Sequence, residues 1–303
     1  MSNHVNFPFL LPFKLVPRTT TPGMHFDDRW QSESILPFQK TAYYRQKWVK
    51  SDTTKLQIES TIAPEGLKVY NESRVVVKTI AWTLVFTGPN YNIYELTFDI
   101  SDLPEGLYWL YQQVTLLSIN WEAISEPIHS KTAWPNTMLI TYKNSFNKDG
   151  VAWTTGLQMS FRVEAAIMDM NPEAEVTSYI NQTRDTMVLD GTPFRTYKLY
   201  IGEAPGVSPY IMDLLNRIFV CDYIIIEGKR YSRESGSKWE ISRQKNYPLI
   251  AGSLEIVEAT NTDGLQFSET TPLAPGIVIA YNIETAFFGP GSLVPVADVE
   301  EQG

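Results

Sequence analysis

Three histidines, one cysteine and a glycine-rich turn are the residues of this chain with the clearest capacity for chemistry. His4, His25 and His129 lie far apart, and none has a second ligand at HxxxH or HExxH spacing, so no metal site of that kind is expected. The lone Cys221 can build neither a thiolate cluster nor a disulfide within the chain. It stands where a helical pattern passes into an apolar strand, the setting of a buried and inert thiol. No GxSxG elbow marks a nucleophilic serine. Asp27, Asp28, Asp99 and Asp102 sit near turns, but a chain with 34 acids offers many such pairs. Glycoside cleavage needs two that face each other.

The turn and helix read "GEAPGVSPYIMDLLNRIFV" from Gly202 to Val220. A glycine loop opening a helix can cradle phosphate. Here the glycine spacing is not GxxxxGK[ST], no lysine follows, and GxGxxG is absent. Ser208 suits an N-cap, and Pro209 suits the first helical position, where it removes a donor that an anion would want. Ile211, Leu214, Leu215 and Ile218 form one apolar stripe, with Met212 and Phe219 beside it. Asp213 and Arg217 form an i,i+4 pair on the other side. The turn therefore reads as the cap of a structural helix, and no catalytic, cofactor or metal residue is assigned.

A basic stretch follows. Residues 229–245 hold Lys229, Arg230, Arg233, Lys238, Arg243 and Lys245 against Glu234 and Glu240, a net +4. Residues 251–303 hold eight acids, Glu300 and Glu301 among them, and no Lys or Arg. Three readings of the basic hairpin stand open: a solvated strand face, a surface that meets an acidic partner, or a phosphate contact. The acidic end, within one copy or between copies, is an available partner. Weakened assembly is expected at low salt if residues 289–303 are deleted or Lys229, Arg230 and Arg233 are reversed. The net charge of −9 opposes direct nucleic-acid binding, which needs a basic footprint.

These residues must be held by β structure. Aromatic content of 13% suits strands and interfaces. "KLQIESTI" puts Leu56, Ile58 and Ile62 on one face, and "YELTFDI" alternates Tyr94, Leu96, Phe98 and Ile100 with Glu95, Thr97 and Asp99. "LQMSFRVEA" points Leu157, Met159, Phe161 and Val163 inward and Gln158, Ser160, Arg162 and Glu164 outward. Turn signals lie between the strands at 63–66, 88–90 and 102–106. Tyr108, just after "DLPEG", reads either as a tyrosine corner bonding back to the loop or as ordinary core. Residues 170–192 read as a polar loop. Strands are expected at 195–202, 249–259 and 276–288, with a hairpin turning near Gly228 between the helix and the second of these.

The expected fold is mainly β, with two sandwich- or barrel-like domains, the second carrying one flanking helix at about 208–219. The boundaries are a Pro-rich aromatic arm at 1–34, a sandwich at 35–135, a sandwich or barrel with the helix at 136–260, and an acidic extension at 261–303. Phe7, Phe9 and Phe13 make the arm too apolar for a solvated tail. It either packs over its own domain or lies on a neighbour. The start lacks the basic n-region of a secretory signal, and no run approaches the length of a membrane span. Synthesis and folding in a cytoplasm are therefore expected.

"LPFKLVPR", "FDDRWQSESILPFQKTAYYRQKW" and the run from Arg195 to Ala259 resemble virion proteins of tailed phages and prophages of Bacteroidetes-type bacteria. The resemblance implies a structural subunit of the tail, neck or tail tip, built of β-sheets with one helix and long arms. It also implies a homo-oligomeric ring with other virion proteins as neighbours, found in the virion, and no active site or cofactor. The partner surfaces would be Phe7, Phe9 and Phe13 in the arm, Lys229, Arg230, Arg233 and Lys238 in the hairpin, and Glu300 and Glu301 at the acidic end. The alternative is a carbohydrate- or cell-surface-binding sandwich, with Trp109, Trp121 or Trp134 stacking on sugar.

Overall fold

A computed structural model describes residues 5–18, 44–116, 119–180, 182, 184–202, 206–243 and 249–259. These residues fold as mainly β structure with one α-helix. The strand expected at 276–288, and Glu300 and Glu301, lie outside the described residues.

In chain order the first half contains β1 (Val5–Asn6), β2 (Leu15–Arg18), β3 (Gln46–Val49), β4 (Thr54–Ser60), β5 (Leu67–Asn71) and β6 (Val76–Ile80). Then come β7 (Thr83–Thr87), β8 (Asn92–Phe98), β9 (Gly106–Leu116), β10 (Ile119–Ser125) and β11 (Ile128–Lys131). One sheet has the order β1-β4-β8-β7, and the other runs β2-β10-β9-β11-β3, with β5 also on β9 and β6 on β5. All pairings are antiparallel except β11 with β3. The sheets face each other through alternating side chains: Leu56, Leu96 and Phe98 from one meet Trp48, Val69 and Leu110 from the other. The Trp48 and Phe98 rings pack edge-on at 5.3 Å. Each such side chain removed from water contributes roughly 1.5–3 kcal/mol.

The corner between the sheets is pinned by Tyr108, whose phenol donates to the Pro104 carbonyl at 2.6 Å. That is the bond back to the loop that a tyrosine corner makes. Burial raises the phenol's pKa, so it stays protonated and able to donate.

The second half contains β12 (Thr137–Lys143), β13 (Met159–Ile180), β14 (Thr186–Ile201), α1 (Pro209–Ile218), β15 (Tyr223–Ile226), β16 (Lys229–Arg233), β17 (Glu240–Arg243) and β18 (Ile250–Glu258). The sheet order is β14-β13-β12-β15-β16-β18-β17, and β14 also pairs with β18. That last pairing closes a small barrel, in which β17 pairs with β18 on the same edge as β16. Ile140, Phe161, Leu199, Ile226, Leu254 and Ile256 fill it. The hairpin β15–β16 turns at Glu227 (φ 47°) and Gly228 (φ 83°), the two successive positive φ values that match strand twist in a two-residue loop.

Helix α1 closes one end of the barrel. Ser208 caps it by accepting from the Ile211 N–H, Pro209 stands in its first turn, and Ile211, Met212, Leu214, Leu215 and Ile218 are buried.

The two halves share one continuous core, which runs from Trp48 and Phe98 to Leu199 and Ile256. The N-terminal segment is part of it. Leu10 and Leu11 are fully buried, and the Tyr142 hydroxyl donates to the Leu10 carbonyl at 2.5 Å.

Two expectations are corrected. Ser160, Arg162 and Glu164 do not face open solvent, because the free edge of β13 lies against β3 and β4. The Ser160 N–H donates to Thr54 Oγ1 at 2.8 Å, and Arg162 clasps the buried Asp52 carboxylate at 2.5 and 2.8 Å. Residues 170–192 are not a loop either. They form the outer part of the β13–β14 hairpin, whose strands run 22 and 16 residues. Cross-strand pairing satisfies the backbone there, which overrides the turn-forming character of Asn171, Pro172, Gly191 and Pro193.

Candidate functional site

The glycine turn before α1 is built for close packing. Gly202 has φ 71° and Gly206 φ 101°. A Cβ on Gly206 would meet Leu249 Cβ at 2.9 Å, and one on Gly202 would meet the Val207 nitrogen at 2.9 Å. The Val207 N–H donates to Ile250 O at 2.9 Å. The space beside these glycines is taken by the chain itself, and the serine cap takes up the Ile211 N–H.

The enclosed carboxylates are similarly committed. Glu95 accepts from Gln57 Nε2 at 3.1 Å and from the Thr155 hydroxyl, with the Lys55 ammonium 3.7 Å away. Gln57 in turn accepts from the Ala152 N–H at 2.8 Å and donates to its carbonyl at 3.2 Å. This cluster clamps loop 152–155 onto β4 and β8. Glu164 accepts from the Tyr44 hydroxyl at 2.9 Å and pairs with Lys47. Burial, and then the Glu164 charge, hold the Tyr44 phenol well above its usual pKa. Cys221 is half-buried, and burial pushes its thiol up to about 12, the opposite of what a nucleophile needs. Among the described residues no group of three or more His, Cys, Asp or Glu gathers as a metal site.

A hollow of about 520 Å³ opens beside this region, lined by Lys47, Trp134, Asn136, Glu164, Met168 and Tyr200. Its indole, Trp134, is already engaged. Lys131 Nζ lies 4.2 Å and Lys47 Nζ 5.1 Å from the Trp134 ring centre. The indole N–H is shared between the Trp48 and His129 carbonyls. Trp109 is half-buried, and the Trp121 side chain lies outside the described residues.

The basic hairpin divides into two kinds of residue. Lys229, Arg230 and Lys238 are exposed, and the Arg230 guanidinium sits 4.8 Å over the Tyr223 ring. Arg233 serves the fold, donating to Ser237 O at 2.6 and 3.1 Å and to Asn216 at 3.2 Å. The arm aromatics are engaged within their own chain. Phe13 packs on Trp48 and Phe98 at 5.3 and 4.9 Å. Phe9 packs on Tyr210 at 5.1 Å, with Arg217 stacked 4.4 Å from it. Phe7 packs against the same core.

The feature that sequence reasoning missed is the outer hairpin. From Thr196 onward β14 is supported by β18. Between Pro172 and Phe194, β13 and β14 pair only with each other among the described residues. This ribbon stands about 30 Å beyond the barrel, at roughly 3.3 Å per residue over Pro172–Ile180. Cross-strand partners share a face, so the register sorts its side chains. Glu173 with Phe194, Thr177 with Asp190, and Glu175 and Tyr179 on the same strand make one face. Ala174 with Pro193, Val176 with Gly191, Ser178 with Val188 and Ile180 with Thr186 make the other, which carries no charge beyond the Pro172–Arg195 pair at its base. Val188 is 67% exposed and Ile180 62%. The signal was present as the alternation in "EAEVTSYI", but register shifts at 168–171 and 177–178 interrupt it.

Among the described residues no helix is long and apolar enough to cross a membrane. No family model matches the chain, and neither the curated proteins nor the solved structures contain a match to it.

Proposed function

We propose that this chain is a non-enzymatic structural subunit that assembles with copies of itself, as a ring component of the tail, neck or tail tip of a phage or phage-like particle. The observation that carries the reading is the ribbon. A two-stranded hairpin alone in water is marginal at best, and this one displays an apolar face with Val176, Ile180 and Val188 open to solvent. A long segment of that kind gains its stability when a partner covers it. The saturated state of Glu95 and Glu164 and the high pKa of Cys221 are in keeping with a chain that does no covalent chemistry. The assignment to a particle rests on the resemblance of the segments quoted above. Carbohydrate binding has less support, because the Trp134 ring already carries two ammonium groups.

Light scattering across a concentration series, with electron microscopy of negatively stained protein, tests the reading. Closed rings or stacked rings are the expected result. A strict monomer at high concentration that binds glycans would overturn it.

A further inference from the structure

The apolar side chains that the described residues expose are not scattered. Fourteen of the seventeen large ones fall in two places, seven at 168–189 on and beside the ribbon and seven at 75–91. The second group lies on β6 and β7 and the turns flanking them. Among the described residues strand β7 is the margin of its sheet and pairs only with β8. Among the same residues strand β6 pairs only with β5. The two are joined through Ala81 and Trp82, so the open margins of both facing sheets meet at one corner.

All five residues of β7, "TLVFT", are exposed and uncharged. Phe86 is 51% exposed and Leu84 50%. Natural edge strands are blunted by charge, proline or cover, and an uncharged apolar one is a template for another strand.

We propose that the ribbon of one copy, residues 172–194, docks as added β-structure on the β6–β7 margin of a second copy. This deepens the self-assembly reading and rests on it. Three observations select a second copy as the occupant. The ribbon's apolar face matches a margin whose Val76, Leu84 and Phe86 are also exposed. The formal charges differ in sign: residues 172–194 carry Glu173, Glu175, Asp185 and Asp190 against Arg184, whereas residues 74–91 carry Arg74 and Lys78 and no acid, with Lys78 held by Asp102 at 2.5 Å. The length also fits, since Pro172–Ile180 of the ribbon is long enough to run beside all five residues of β7. Main-chain bonds to the open row of β7 supply affinity, and alternate side chains supply register. Donor and acceptor are different surfaces, so the contact is head-to-tail. It closes as a ring or runs on as a filament.

The test uses full-length chains that each lack one half of the contact. Ile180→Lys with Val188→Lys disables the ribbon, and Phe86→Lys disables the margin. All three positions are exposed, so circular dichroism and the urea midpoint should match the parent. Each variant alone is expected to sediment as a monomer of 34.5 kDa. The equimolar mixture should give a species of roughly twice that mass and nothing larger, because only one intact ribbon meets one intact margin. If the parent assembles and either variant still assembles alone, this contact is overturned while self-assembly stands. A mixture that stays monomeric overturns it too. A parent that is monomeric at every concentration removes both readings. Should a lysine variant misfold, Val176→Cys and Val85→Cys in separate Cys221→Ser chains replace it. A cross-link in the mixture alone supports the contact, and one in the Val176→Cys sample by itself, meaning ribbon on ribbon, overturns it.

Discussion

Removing Asp52 should destabilise the whole body rather than one half of it. Asp52 lies at the junction of sandwich and barrel and is 3% exposed. Its two oxygens accept from Arg162 Nε at 2.5 Å and Nη2 at 2.8 Å, and one also accepts the Val49 N–H at 2.9 Å. Asp52→Ala leaves a largely enclosed guanidinium without its carboxylate. Breaking a buried pair from one side costs about 3–5 kcal/mol. Arg162 retains Thr137 Oγ1 at 3.1 Å and the exposed Glu227 at 3.9 Å, which places the loss toward the lower end. For a chain of this size about 3 kcal/mol lowers the melting temperature by roughly 6–12 °C. Urea unfolding followed by tryptophan fluorescence and by far-ultraviolet circular dichroism is the assay. One shifted transition shared by both probes is expected, because the core is continuous across the halves. Replacing both partners, as Asp52→Leu with Arg162→Met, should recover most of the loss. A loss below about 1 kcal/mol would mean the pair behaves as a solvent-screened surface bridge, and the junction argument would fail.

Other consequences are smaller or more local. Tyr108→Phe removes the bond to the Pro104 carbonyl and should cost about 1 kcal/mol, read as a shift in urea midpoint; no shift would leave Tyr108 as core alone. Burial, and then the Lys131 charge, lower the His129 pKa below its ordinary 6.5. The unfolded chain therefore binds the proton more readily. The stability His129 contributes is whole above about pH 6.5 and is lost as pH falls below it toward the folded value. Between pH 7.5 and 5.5 the parent should lose more stability than His129→Gln, and equal slopes would refute the assignment. Joining Asn171 to Thr196 through Asn-Gly removes no buried side chain among the described residues and costs the body one bond, from the Thr196 hydroxyl to Glu173 at 2.7 Å, so its melting temperature should change little; a large fall would make the ribbon part of the fold.

The parts of the fold legible in the sequence were those set by local pattern. Leu157, Met159, Phe161 and Val163 are all fully or nearly fully buried, as strict alternation dictates. Ser208, Pro209 and the apolar stripe of α1 announce a capped helix, and the structure has it at Pro209–Ile218. What was not legible depends on partners distant in sequence. Arg162 and Glu164 look like solvated residues until β3 and β4 arrive beside them. Gln57 and Glu95 sit at polar positions of half-buried strands, yet loop 152–155 covers them. The ribbon was hidden by its own composition, since two prolines, a glycine and two register shifts mask a period of two. The arm's two open readings were separable only once Phe13 had Trp48 and Phe98 to pack on.

Under the proposed assembly, copies of this chain meet through the ribbon. The most direct measurement is the mass in solution of the intact chain beside the chain with residues 172–195 replaced by Asn-Gly, over the same concentration series. The account predicts a large, concentration-stable assembly for the first and a monomer of little-changed melting temperature for the second. Equal masses for the two chains would contradict it.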